Sequence, residues 1–370
     1  MDIGSVPSTG EIRPQGATVS APEGPGPNLT TPPAVAARRD PFRIRALQWL
    51  QRFGALAALV VLVAIASSLI PNFLSPNNVR LQSQQFALRT ALLSAGQTLV
   101  ILTGGIDLSV GSLLAVGSAL AAQLAIAGFP LVLVIVLPVL LCGAIGVLSG
   151  TIIARTRIQP IVVTLAVLIA ARGVARLIAG NHQLDLSQLT NPTFAGNVNT
   201  GSNGIATTQL GPVPLIGLIP ISVVLVVVVY LAVNVFLTRT VPGRYVFAVG
   251  GNERAARLSG VAADRIKITV YAISGLLAGL AGVLYASSNQ NADPFNDGLL
   301  FELTTIAAVV VGGTSLLGGT GGVWRTLVGG LILVVLNALF TQLNLPEATQ
   351  LLAQGLIIVG AVVIQAGSNS

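Results

Sequence analysis

Charge is what this sequence has least of. Asp, Glu, Lys and Arg make up 8% of its 370 residues, against about 25% in an average soluble domain. So few ionisable side chains cannot cover a water-facing surface, which excludes a soluble enzyme, a nucleic-acid-binding domain or a disordered scaffold as a reading of the whole chain. Cysteine is equally scarce. The single Cys142 lies inside an apolar run, so no intrachain disulfide is available. The single histidine, His182, has no second His or Cys near it in sequence and offers no metal-ligand set. The single lysine, Lys267, stands in Arg265-Ile266-Lys267-Ile268. A phosphate-binding Gly-x-x-x-x-Gly-Lys-Ser/Thr loop is therefore missing, and the chain is not expected to bind ATP by that route. Gly-x-Ser-x-Gly, His-Glu-x-x-His and paired cysteines are also missing, so the chain is expected to be neither an enzyme nor the holder of a cofactor or metal.

What is present is apolar. Hydrophobic residues make up 53% of the chain and mean hydropathy is +0.84. The apolar residues gather in runs long enough to cross a bilayer, each crossing needing about 20 residues. We read ten runs, at roughly 54–71, 86–103, 110–127, 130–153, 160–179, 213–237, 266–288, 301–317, 323–343 and 348–366. The fold class expected is an all-α polytopic membrane protein of about ten transmembrane helices, some of them broken or re-entrant. The eighth run is the weakest because it dissolves into glycines. Residues 1–45 are read as a disordered cytoplasmic tail, rich in Pro, Gly, Ser and Thr before the first arginine cluster. Residues 46–370 are read as the transmembrane domain.

The net charge of +7 comes from nineteen cations against twelve anions. The cations are scattered between apolar runs, so they do not form a nucleic-acid-binding patch. With an even number of spans both termini lie on one side. An N-in, C-in arrangement puts fifteen of the nineteen cations on inner segments and leaves Arg80, Arg89, Arg172 and Arg176 outside. That asymmetry satisfies the positive-inside rule.

The inner segment 238–267 is the most informative. Asn252 is a plausible N-cap, Glu253 suits the positive start of a helix, and Gly260 suits the left-handed position after its end. A two-turn helix bracketed in this way fits a docking element that enters a groove in a partner protein. A solvated basic loop that only fixes topology would explain the arginines but not the bracketing. The pattern Glu253-x-Ala255-Ala256-x-x-x-Gly260 resembles the coupling motif of ATP-binding-cassette importer permeases. The longer string from Ala248 through Val261, with Gly250, Gly251, Asn252, Arg254, Arg257 and Ser259, is similar to the ribose/xylose/arabinose permease branch. So are Leu102-Thr103-Gly104-Gly105-Ile106-Asp107-Leu108-Ser109-Val110-Gly111-Ser112 and the late segment from Val310 through Gly319, which holds Gly312, Gly313 and Thr314. The resemblance spans about 54–366. This chain lacks the downstream Leu-Pro of the general coupling motif.

The resemblance implies a permease subunit of a sugar importer in the bacterial plasma (inner) membrane. It implies a second permease copy, a cytoplasmic ATPase subunit that uses ATP and Mg, and a periplasmic or extracellular sugar-binding protein. A ribose-like pentose is the substrate it suggests, with nucleosides and branched-chain amino acids as same-family alternatives. An ion-coupled secondary transporter is the rival mechanism, and it would need carboxylates deep within spans. The coupling surface is assigned to Gly250, Gly251, Asn252, Glu253, Arg254, Ala255, Ala256, Arg257, Ser259 and Gly260. Breaks in apolar spans belong where protein or a water-filled path covers the backbone. Thr103, Gly104, Gly105, Asp107, Ser109, Gly312, Gly313 and Thr314 are therefore candidates for a translocation gate. Asp107 reads equally as the cap of the third span. Gln97, Thr98, Gln123 and Asn337, within or at the ends of spans, read either as path-lining groups or as bridges between helices. Arg172 and Arg176 read as snorkelling to headgroups or as a dock for a partner.

Overall fold

The computed structural model describes residues 41–156, 158–187, 196–197, 202–203 and 220–368. Most of the expected N-terminal tail, residues 1–40, lies outside the described residues. So does much of the polar stretch 180–212. The chain divides into two units, 1–48 and 49–370. Everything below concerns the second.

Helix α1 (Pro41–Leu69) ends before Pro71. Ser75 then caps α2 (Pro76–Phe86), its hydroxyl accepting from the Asn78 amide at 3.4 Å with proline in the first turn. A π-helical turn (Ala87–Ala91) leads without interruption into α3 (Leu92–Leu102). The continuous Pro76–Leu102 helix starts ten residues before the apolar run read from sequence. Its first turns carry Asn, Gln, Ser and Arg, so hydropathy hides them, while the Ser75-Pro76 start signal does not. Most of this helix is buried in the protein. Arg89, counted above among the outer-segment cations, lies inside it rather than in a loop.

Next come α4 (Val110–Ile126), α5 (Leu131–Thr156) and α6 (Pro160–Ile178). Beyond them stand α7 (Ile221–Arg239), the short helices α8 (Val241–Gly251) and α9 (Glu253–Leu258), and α10 (Ala263–Asn289). The chain closes with α11 (Phe301–Val311), α12 (Val323–Gln342) and α13 (Glu347–Ser368). Sheet structure is limited to two-residue antiparallel pairs. β1 (Leu184–Asp185) pairs with β4 (Asn291–Ala292), Leu184 opposite Ala292, and β2 (Gly196–Asn197) pairs with β3 (Ser202–Asn203).

Six helices among the described residues are long and apolar enough to cross a membrane, and three apolar helices are shorter. The chain is a multi-pass membrane protein. Helix α11 has 11 residues, a rise of about 16 Å against a hydrocarbon core of about 30 Å. It cannot cross alone.

Helix α10 is the spine, packed against α5, α4 and α3. In lipid no hydrophobic force draws helices together, so close approach of small residues supplies the attraction. A Cβ on Gly146 of α5 would stand 2.3 Å from the carbonyl oxygen of Tyr271, and one on Gly275 of α10 2.3 Å from that of Cys142. Neither position holds a larger residue. The outward faces of α5 and α6 present Val132, Leu140, Leu148, Ile169 and Leu177 to lipid.

Candidate functional site

The coupling helix forms as its sequence predicts. The Asn252 side chain accepts from the Ala255 amide at 3.0 Å, which satisfies one of the free amides of the first turn. Gly260 closes the helix with φ +84°, a left-handed angle that a Cβ disfavours. Ala256 is buried, but Leu258 is 85% exposed. Leu258 was not among the residues singled out by sequence. The signal was there: it is the one large apolar side chain of a six-residue helix whose inward position is already taken by Ala256.

A charged chain holds this helix to the start of α10. Glu253 Oε2 accepts from Lys267 Nζ at 2.6 Å, and Glu253 Oε1 accepts from Arg257 Nη2 at 2.9 Å. Arg257 also donates to Asp264. Burial alone would raise the Glu253 carboxyl, but the hydrogen bonds from Lys267 and Arg257 outweigh it and hold the group below its usual value. The Arg257 guanidinium is held above its usual value by its hydrogen bonds to Asp264 and Glu253. The only lysine in the sequence thus fastens α9 to α10.

The glycine-rich segments, read separately in the sequence, meet beside this helix. Thr103 and Gly104 turn the chain at the end of α3, with Gly104 at φ +78°. Gly319 donates its amide to the carbonyl oxygen of Leu102 at 3.0 Å. A Cβ on Gly250 would stand 1.8 Å from that same oxygen and 2.6 Å from the Gly319 nitrogen. A Cβ on Gly318 would stand 2.8 Å from the Gly104 nitrogen. Three backbone segments, 102–105, 250–251 and 318–319, therefore form one layer in which Gly250, Gly318 and Gly319 have no room for a side chain. Gly312 packs against Arg325 backbone, and Thr314 Oγ1 accepts from the Gly322 amide at 3.3 Å, so 312–322 is a closed loop that delivers Gly318 and Gly319 to the layer. Of the residues assigned above, the layer unites Gly104 with Gly250 and Gly251. Gly312, Gly313 and Thr314 lie at the base of the loop that completes it.

Asp107 is 2% exposed. Its Oδ1 accepts from the Ser109 amide at 2.9 Å and from Ser109 Oγ at 2.6 Å, and its Oδ2 accepts from Ser274 Oγ on α10 at 2.9 Å. The break 103–109 is therefore tied to the helix that also holds the coupling helix. Other polar residues read as path-lining turn out to bridge elements. Thr98 donates to Thr326 at 2.8 Å, and Gln123 to the Ile178 carbonyl at 2.9 Å. Arg172 donates to the Asp297 carbonyl at 2.7 Å, and Arg176 lies 4.6 Å from the Phe295 ring centroid. Both arginines thus secure the loop 290–300 rather than reach for headgroups.

A cavity of about 680 Å³ opens between these parts. Its walls include Thr103, Gly105, Glu253, Arg254, Lys267 and Tyr271. Tyr271 is 1% exposed and its hydroxyl has no hydrogen-bond partner among the described residues. That hydroxyl lies where a Cβ on Gly105 would be, 2.6 Å away. Coupling helix, charged chain, glycine layer and cavity are one connected apparatus, suited to passing a displacement of α9 to the broken span at 103–109.

The family described as branched-chain amino acid transport system / permease component matches residues 82–362. The ribose import permease protein of Escherichia coli (strain K12) is 39% identical over 317 residues, covering 85% of this chain and 94% of that protein. The ribose import permease protein of Bacillus subtilis (strain 168) is 36% identical, covering 85% and 92%. The D-allose transport system permease protein of Escherichia coli (strain K12) is 33% identical, covering 89% and 95%. No solved structure matches the chain.

Proposed function

We infer, because the chain belongs to the branched-chain amino acid transport system / permease component family, that it is the membrane-spanning permease subunit of an ATP-binding-cassette sugar importer. It is a transport protein and not an enzyme. Its relatives named for ribose and allose support a monosaccharide cargo, and we assign a ribose-like pentose. Hydrolysis of ATP, with Mg, belongs to a separate cytoplasmic ATPase, and delivery of the sugar belongs to an outer binding protein. Two copies of the chain pair in the inner membrane of a bacterium to form the path. Ten membrane helices with both termini inside are the arrangement we propose, because that arrangement assigns fifteen of the nineteen cations, among them Arg239, Arg244, Arg254, Arg257, Arg265 and Lys267, to inner segments, as the positive-inside rule favours.

The observation that carries this reading is the capped helix α9. It presents Leu258 outward while Glu253 and Arg257 fasten its inner side to α10. A helix held at its base and bare at its tip is the form a coupling element needs. Residues 250–257, 259 and 260 provide the caps, the base and the close approach. The proposed gate is 103–109 together with 312–314, reached from α9 through the glycine layer and through Ser274.

The test is Leu258→Asp in the assembled importer. Loss of ATPase co-purification and of ATP-driven ribose uptake, with the permease itself still monodisperse, is the expected result. A variant that keeps both would sink the docking assignment.

A further inference from the structure

A second cavity, of about 250 Å³, lies away from the coupling apparatus, among α2, the π-helical turn, α11, α12 and α13. Its walls bring together Gln82, Gln85, Arg89, Phe301, Asn337 and Gln354, from five different elements. None of the four amide side chains, nor Arg89, has a side-chain hydrogen bond or ion pair among the described residues, and three of the five polar groups are exposed. Polar groups left open at membrane depth are costly, so they belong in a water-filled or ligand-filled space. Thr98, by contrast, is bonded across the helix pack to Thr326.

Arg89 owes its place to the π-helical turn Ala87–Ala91. Ala87, Leu88, Thr90 and Ala91 are buried, and Arg89 is the exposed residue of the turn, with Thr90 beside it in the cavity wall. Such turns widen a helix locally and recur at functional positions. Amide side chains both donate and accept, as sugar hydroxyls do. The guanidinium adds a planar fork of donors for two neighbouring hydroxyls. Phe301, held edge-on to Tyr285 at 5.9 Å, offers an apolar face for the C–H side of a sugar ring.

We propose that this cavity is a binding station for one neutral, polyhydroxylated solute on its way through the permease. Arg89 and the four amides read its hydroxyls. The proposal rests on the transport reading above and goes on to locate the cargo within the chain. In the proposed orientation all five elements contribute their outer halves here. The same Pro76–Leu102 helix that lines the station near its start supplies the Leu102 carbonyl of the glycine layer at its end. Station and gate thus share one rigid element.

The experiment uses the one-cysteine character of the chain. Cys142 is fully buried, so Gln354→Cys places an accessible thiol in the cavity wall. The assembled importer in proteoliposomes is labelled with a membrane-impermeant maleimide, with and without ribose, and labelling of this chain is read on a gel. By mass action, ribose at about ten times its Kd slows labelling about tenfold. Adding Arg89→Ala abolishes that protection. Protection that survives Arg89→Ala, or protection by succinate and not by ribose, overturns the proposal. Labelling indifferent to ribose in a complex that still takes up ribose on ATP overturns the station and leaves the transport reading standing. Protection by ribose in a complex that performs no uptake supports the station and removes the transport reading instead.

Discussion

The amide of Gly319 donates to the carbonyl oxygen of Leu102 at 3.0 Å, joining the loop after α11 to the end of α3. Gly250, three residues before α9 begins, lies against that same carbonyl. Motion of the coupling helix therefore has a direct contact through which to reach two broken spans. The contact consists of backbone only, which gives it little freedom to adjust.

That rigidity yields a contrasting pair of substitutions. Gly250→Ala places a Cβ 1.8 Å from the Leu102 oxygen, whereas Gly251→Ala meets nothing within 4 Å. Overpacking of this kind costs on the order of 2 kcal/mol, and here it also forces the layer apart. Gly250→Ala is expected to lower the thermal midpoint and to cut ATP-driven uptake about tenfold or more. Gly251→Ala is expected to leave both unchanged. Equal behaviour of the two variants in thermal unfolding and uptake assays would refute the layer.

The bracketing of the coupling helix was legible in the sequence because caps act locally: Asn252 and Gly260 do their work within four residues of their own positions. The breaks at 103–109 and 312–322 were also legible, since glycines interrupting an apolar run need no partner to be noticed. Their meeting was not. Leu102, Gly250, Gly318 and Gly319 are brought together by the packing of α3, α8 and the loop after α11, and no local pattern encodes that. The start of α2 was missed for a different reason. Seven polar residues between Asn77 and Gln85 lower the hydropathy of a helix whose apolar partners are other helices rather than lipid. The missed turns are the ones that carry Gln82, Gln85 and, just beyond them, Arg89.

The charged chain that fastens α9 to α10 predicts a pH response. The Glu253 carboxyl is held below its usual value, so its ionised form favours the folded arrangement. That contribution is complete above the ordinary glutamate value of about 4.3 and is lost only as pH falls through the lowered value. Association with the ATPase is therefore expected to be flat between neutral pH and about 6. Glu253→Gln imposes the acid state at neutral pH and frees Lys267. Because Glu253 is more than a third exposed, the stability loss stays below about 1 kcal/mol. Co-purification of the ATPase is expected to become salt-sensitive in this variant. A salt profile identical to wild type would contradict the role of the chain.

In the loop 290–300 the sign is reversed. Burial pushes the Asp297 carboxyl up to about 6, despite the hydrogen bonds from Ser118 at 2.6 Å and from the Asp293 amide at 3.0 Å. The folded state thus binds a proton more readily than the unfolded chain, whose aspartates sit near 3.9. Stability is expected to rise as pH falls from about 7 towards 4, by on the order of 2 kcal/mol in total. Thermal midpoints measured across that range check the slope. Asp297→Asn is expected to flatten it, and a slope that persists in the variant would assign the effect to another group.

Asp107 separates clamping from gating. Its carboxylate accepts from the Ser109 amide and hydroxyl on one oxygen and from Ser274 on the other. Asp107→Ala strands three buried donors and is expected to destabilise the protein by about 2–3 kcal/mol, judging from the cost of unsatisfied buried groups. Asp107→Asn is different. Its carbonyl oxygen can still take both Ser109 bonds, and its amide can donate to Ser274 once that hydroxyl turns to accept. Stability is therefore expected to stay within about 1 kcal/mol of wild type. Transport need not follow stability. If the break 103–109 moves during the cycle, the exchange with Ser274 has to open and re-form, and an amide locks one direction of donation where the carboxylate accepts from either side. Uptake is then expected to fall about tenfold or more in Asp107→Asn while thermal stability holds. Ser274→Ala, which frees one carboxylate oxygen without touching the Ser109 bonds, is expected to lower uptake less. Wild-type uptake in Asp107→Asn would reduce the residue to a clamp that fixes the start of α4, and would move the gate assignment to the loop 312–322.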